Sequence, residues 1–389
     1  MKLNNFFVSH LNNQNQISYH DASIAVSVLF LLLLAVILFT SKLNSKSGSE
    51  LETYFKHETS DTLRGIAILC LIFGHFAINC VDGKFFFILA GRWAVIIFLY
   101  ISGVGLTKKY SLSNLPRYFI HRRIGKLMPS VWFAMTLFIV MDYVLIGKAY
   151  NPIFLILNYL GIITIFSPDG PAWYITYIII LYLLYYLLSK VMNGNVNLKL
   201  IVLFVVCYML SVVIWHIKPL SNNIDIWAQY AFVFPSAVGI GLYFKPIQST
   251  LVRLYTKHRI IYIILMVLSL FISISKKGEF RIGHLINSYD FENTVAMVYD
   301  EFLILAILLL TIILDYYRYR SSLLSILGKY SFEIFLIHLP FMQKYDFLLF
   351  RKPLILYFPL YLLLILLGSI VFKKVVATTV KYVRSINSS

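Results

Sequence analysis

Two residues in the stretch DTLRGIAILCLIFGH, Arg64 and His75, carry the types and the spacing most able to do chemistry. Eleven steps of 100° along an α-helix overshoot three full turns by only about 20°, so both side chains lie on one stripe, about 16 Å apart along the axis. Arginine is a permanent cation with a fork of donors suited to phosphate, and imidazole is the side chain best placed to move a proton near neutral pH. Such a stripe suits a long, thin ligand with an anionic head at one end and a reactive group at the other. Spacing alone leaves open whether His75 would serve as a general base or be transiently acylated. Asp61, just before the apolar run, is expected to cap it, and Gly65 and Gly74 permit a close neighbour.

The elements that must position this pair lie in a chain unsuited to water. Of its 389 residues 60% are hydrophobic and 13% charged, against about 25% charged in ordinary soluble domains. Its net charge of +17 does not point to nucleic acid, because the basic residues separate apolar runs of membrane-crossing length. Cys70, Cys80 and Cys207 fit neither a disulfide framework nor a metal spacing. No zinc-type cluster, P-loop or GxSxG is present, so no metal is expected.

A crossing helix needs about 20 apolar residues. Runs near 22–41, 62–81, 85–107, 127–147, 172–190, 199–216, 227–244, 260–275, 300–315, 330–350 and 354–372 meet that need, predicting an all-α polytopic bundle of eleven spans. The first run has no basic segment before it and no small-residue cleavage site after it, so it reads as an anchor rather than a removable signal. The stretch 152–166, opened by Pro152 and broken by Asn158 and Gly161, is decided by loop charge. If it does not cross, 21 basic residues fall on the cytoplasmic side and 9 outside; if it crosses, the count becomes 15 to 15. The expectation is therefore a re-entrant or interfacial segment, with the N-terminus outside and the C-terminus in the cytoplasm.

An ionisable side chain at membrane depth costs a few kcal/mol and marks a functional site by default. Besides Arg64 and His75, three residues qualify: Arg92, Glu333 and His338. Arg92 and Glu333 also fit as structural ion-pair partners, and His338 as a core histidine beside Pro340. Ser102, Trp173 and Tyr174 complete the substrate-side candidates.

At these residues the chain resembles the acyltransferase-3 family of membrane O-acyltransferases. The Arg64-x10-His75 stretch is similar to the family's opening signature, and GRWAVIIFLYISG (91–103) to its aromatic-Ser-Gly span. FIHRRIGKLMPSVW (119–132) looks like its basic loop, with Lys126 where arginine is usual. PAWYITYIIILYLLYYLL (171–188) and LGKYSFEIFLIHLPF (327–341) resemble its Trp-containing and late Ser-x-x-Ile-x-Leu-x-His elements. The resemblance implies a ten-helix domain over 58–375, preceded by an extra anchor and linker (1–57) and followed by a tail (376–389).

It also implies transfer of an acyl group, usually from acetyl-CoA, to a hydroxyl of a cell-envelope glycan, possibly lipid-linked, such as capsule or O-antigen. Arg64, with Arg117, Arg122, Arg123 and Lys126, would hold CoA, and His75 would act at the acyl end. A bacterial cytoplasmic membrane is the implied location. A polysaccharide transporter, flippase or polymerase shares the composition, but usually shows repeats and more acidic residues in its spans than Glu333 alone.

Overall fold

The computed structural model describes residues 19–42, 55–80, 88–110, 112, 115–163, 167–192, 194–216, 225–275, 289–346, 348–349 and 353–386. Almost everything described is helical, and the chain is an all-α polytopic bundle. In order the helices are α1 Tyr19–Phe39, α2 His57–Cys80, α3 Ile88–Lys109, α4 Phe119–Met141, α5 Pro152–Tyr159, α6 Trp173–Val191, α7 Val196–His216, α8 Asp225–Ala228, α9 Val233–Leu242, α10 Phe244–Lys257, α11 Arg259–Ser275, α12 Tyr289–Tyr316, α13 Ser322–Lys329, α14 Ser331–Gln343 and α15 Leu354–Ile386. Seven helices among the described residues are long and apolar enough to cross a membrane unaided. Leucine and isoleucine on outer faces, Ile201 and Leu363 of these seven and Leu31 of α1 among them, stay exposed as lipid-facing side chains must.

Of three expected runs, one is broken, one is bent against its neighbour and one ends early. In place of 227–244 the chain forms the short pair α8 and α9, with Pro235 inside α9. The run 260–275 is α11, joined at 118° to α10, which exposes Lys245 and Arg253 and buries Gln248 on its inner face with Phe244 and Tyr255. The run 330–350 ends as a helix at Gln343, and α14 meets α13 at 77°. Hydrophobic counting cannot see such bends, because it registers the length of a run and not the direction of the chain.

Contacts define one basic end of the bundle. Arg320 reaches Glu58 at 2.9 Å and pairs with Lys42 in a two-residue antiparallel bridge. Lys108 donates to the Phe55 carbonyl, Lys190 to that of Leu115, and Lys199 to those of Leu112 and Ser189. At the opposite end, buried Asp142 accepts from Tyr345 at 2.6 Å, from Lys344 at 3.1 Å and from Tyr150. Lys344 also donates to the Pro168 carbonyl at 2.7 Å. Tyr150 and Pro168 thus sit at the same end, so the stretch between them leaves and returns without crossing. Its helix, α5, has only eight residues. The charge count and the hydrogen bonds agree on this segment.

Close helix crossings hold the core. A Cβ on Gly74 would overlap the backbone of Gly91, fixing α2 against α3. Gly65 packs on the Leu324 carbonyl and Gly328 on the Asp61 carbonyl, fixing α13 against the start of α2. Outside the core, α1 walls an apolar cavity of about 410 Å³ with Ile66, Cys70 and Phe73 of α2 and Trp93 of α3.

Candidate active site

Helix α2 starts at His57, earlier than the apolar run suggests. Asp61 is therefore not its cap but lies one turn inside, where it accepts from Arg64 at 3.1 Å and from His57 at 2.9 Å. This contact holds Arg64 two turns into the helix, its side chain 38% exposed. From Asp61 to Ala77, only Arg64, Ile66, Cys70 and His75 keep partial exposure. Ile66 and Cys70 face the apolar cavity, so Arg64 and His75 open onto a different gap, on the opposite side of α2. Across that gap α3 offers a matching row of partly exposed residues, Gly91, Phe98, Ser102 and Gly105, at helical spacing.

Tyr174 of α6 stands beside Ser102, within electrostatic reach of Arg64. Its ring meets Phe98 at 6.3 Å and Phe335 at 5.8 Å. Trp173 turns the other way and stacks on Tyr230 at 6.4 Å and 11°.

His75 Nδ1 lies 2.7 Å from His338 Nε2, and the rings are nearly parallel. The other nitrogen of His338, Nδ1, is 3.0 Å from the Ile334 carbonyl and 2.9 Å from that of Phe335. Carbonyls only accept, so His338 Nδ1 carries the proton and, in the neutral ring, Nε2 is an acceptor. His75 Nδ1 must then be the donor of the histidine pair. The proton on Nδ1 makes Nε2 the basic nitrogen of His75, a tautomer fixed by the order of hydrogen bonds. His338 is itself fully buried, and Tyr361 donates to its carbonyl at 2.6 Å. Helix α14, bent away from α13 and containing Pro340, is what delivers it to α2.

The remaining predicted residues divide. Glu333 pairs with Lys373 of α15 at 3.3 Å toward the basic end, the structural role open to it from sequence. Arg92 forms an ion pair with Asp300 of α12. Arg123 lies over Tyr110, Phe119 and Tyr182, and Arg122 over Tyr118, while Arg117 and Lys126 are exposed. These four share the basic end, and the contacts of Arg122 and Arg123 are with aromatic rings rather than with Asp61, the partner of Arg64.

Asp300 and Glu301 escaped the sequence reading because the apolar run seemed to begin at residue 300. The helix begins at Tyr289, which carries both acids some eleven residues inside it. Asp142 and Lys344 lie inside the runs 127–147 and 330–350, where one charge among apolar residues leaves the run length unchanged. Among the described residues no group of three or more His, Cys, Asp or Glu could hold a metal.

A polytopic helical bundle with a hydrogen-bonded histidine pair, one ring buried and the other open to an inner gap, and with cations gathered at one end, is the architecture of an intramembrane enzyme. The family model of the acyltransferase domain, acyltransferase 3, matches residues 58–374. The chain belongs to this family and is a multi-pass membrane acyltransferase. Neither the curated proteins nor the solved structures contain a match to it.

Proposed function

We propose that the protein moves an acetyl group from cytoplasmic acetyl-CoA to a hydroxyl of a cell-envelope polysaccharide or its lipid-linked precursor, in a bacterial cytoplasmic membrane with the basic end inside. The observation that carries this reading is the tautomer of His75, whose basic Nε2 is set by the hydrogen bond to His338.

Arg64, at the basic end of the stripe, would meet a phosphate of CoA, and the exposed Arg117, Arg122 and Lys126 would draw the nucleotide to that end. The pantetheine arm follows the stripe, about 16 Å long, to His75. There Nε2 removes the proton of the acceptor hydroxyl as its oxygen attacks the thioester carbon. The C–S bond breaks, and the imidazolium returns that proton to the leaving thiolate. Acetyl ester and free CoA thiol are the products, with His75 restored. His338 accepts the Nδ1 proton of His75 throughout, holding the ring and stabilising its positive charge while it lasts. It is a positioning residue.

The test is release of CoA thiol from acetyl-CoA by the purified chain in nanodiscs, with binding of acetyl-CoA measured separately. His75→Ala should lower turnover roughly 10²–10⁴-fold without weakening acetyl-CoA binding. Arg64→Ala should mainly raise the acetyl-CoA KM. A hydroxylamine-sensitive acetyl-enzyme trapped on His75 would replace the base by a nucleophile, and a wild type that neither binds nor consumes any acyl-CoA would bring the transporter reading forward.

A further inference from the structure

Where α2 and α3 cross, Gly74 meets Gly91, and the next residue on each helix is functional in character: His75 on one, Arg92 on the other. Arg92 is paired with Asp300, and the following residue of α12, Glu301, accepts from Ser236 of α9 at 2.5 Å through Oε2. Besides Arg92 Nη2, which the Asp300 ion pair occupies, three polar atoms are buried without a hydrogen-bond partner among the described residues: Arg92 Nε, Glu301 Oε1 and Trp227 Nε1. Aromatic contacts close the group. Tyr230 is within electrostatic reach of Arg92 and lies parallel to Trp173, while Tyr177 meets both Trp173 at 6.5 Å and Trp227 at 6.1 Å.

Each unmade hydrogen bond on a buried group costs about 1–3 kcal/mol, and hydrocarbon cannot repair it. Two donors and one acceptor beside paired aromatic faces call for a partner offering both hydroxyl protons and lone pairs at its rim and an apolar face. A pyranose ring has that chemistry. Charge narrows it further: Asp300 balances Arg92, leaving the Glu301 carboxylate uncompensated, which disfavours a carboxylated sugar.

We propose that Arg92, Glu301 and Trp227, with the Trp173–Tyr230 pair, form the acceptor subsite, and that it selects a neutral pyranose over a uronic acid. This rests on the reading of His75 as the acyl-transfer residue. Arg92 lies beside the histidine, across the glycine crossing, while Glu301 and Trp227 bring in α12 and α8, which the Arg64 stripe does not use. A sugar there and CoA along the stripe would approach His75 from different sides.

The full chain in nanodiscs, supplied with radiolabelled acetyl-CoA, is offered methyl glucopyranoside, methyl galactopyranoside, methyl mannopyranoside, methyl glucuronopyranoside and cyclohexanol, and acetylated product is identified by mass spectrometry. At least one neutral glycoside should be acetylated tenfold or more faster than the glucuronoside and cyclohexanol. Trp227→Phe, which keeps the ring contacts but loses the N–H, and Glu301→Gln should each raise the glycoside KM about tenfold with the acetyl-CoA KM unmoved. Equal use of the glucuronoside or of cyclohexanol overturns the proposal, as does an equal rise in both KM values, which would mark a packing role. Acetyl-CoA binding without acetylation of any glycoside overturns this subsite alone. Failure to bind acetyl-CoA at all would overturn the proposed function with it.

Discussion

The His75–His338 pair is asymmetric by construction. His338 spends its only neutral-state proton on carbonyls of its own helix, so it can receive from His75 but not give to it. Replacing His338 by alanine should leave His75 in place but free to turn and to exchange tautomers. We expect kcat to fall about 10²-fold with the acetyl-CoA KM unchanged. Asparagine at the same position can offer its carbonyl oxygen to the Nδ1 proton and should recover part of the loss; equal defects in both variants would show that only the bulk of the ring matters there. The His75 stripe was legible in the sequence because helical periodicity alone aligns it with Arg64. Its partnership with His338 was not, since 263 residues separate the two and only the bend before α14 brings them together. Asp61 illustrates the opposite failure: its type suits a cap, but helix α2 begins a turn earlier, and the carboxylate serves Arg64 instead.

At the scale of elements, backbone contact at glycine does the positioning. The Gly74–Gly91 crossing fixes the depth of both His75 and Arg92, and a side chain there would meet backbone, which cannot rotate away. Gly74→Ala should destabilise the fold by about 1–3 kcal/mol, read as a lower Tm in detergent, and should reduce turnover as well. Gly105→Ala, on the same face of α3 but with open space around it, should be close to neutral in both measurements. If the two variants behave alike, the crossing is softer than its geometry says. Apolar run length foresaw most of the long helices. It could not foresee the break between α8 and α9, which falls inside one apolar run, or the two sharp helix junctions at His258 and Tyr330, which fall at the edges of runs. That α5 belongs to a segment returning to its own end was recoverable only from the distribution of lysine and arginine across all the loops.

For the whole molecule, the family match begins at residue 58, after α1, which touches the core across an apolar cavity and through the bridge of Ser41 and Lys42 with Arg320 and Ser321. The histidine pair lies on the far side of α2 from that cavity. A chain starting after Lys42 should therefore still release CoA thiol from acetyl-CoA, with a Tm lowered by the loss of apolar contact. Loss of turnover in a chain that still binds acetyl-CoA would give α1 a part in the reaction. Cations at the basic end should also make acyl-CoA capture sensitive to salt. Raising ionic strength from roughly 0.05 to 0.3 M, where the screening length drops below about 10 Å, is expected to raise the acetyl-CoA KM and leave the KM for the acceptor nearly constant.

The position of His75 between the two ends has an electrical consequence. In the proposed reaction the proton leaves a hydroxyl that arrives from outside and ends on a thiol that departs to the cytoplasm, by way of one imidazole. The acetyl group, formally an acylium, moves outward as that proton moves inward, so each turnover carries no net charge across the bilayer. A net charge crossing fully would be worth about 2.3 kcal/mol per 100 mV; with none, the equilibrium of the transfer does not depend on the membrane potential. In proteoliposomes oriented with the basic end inside, an interior-negative potential set by potassium and valinomycin should leave the final extent of acetylation unchanged. An extent that follows the potential would show a further ion moving with the reaction.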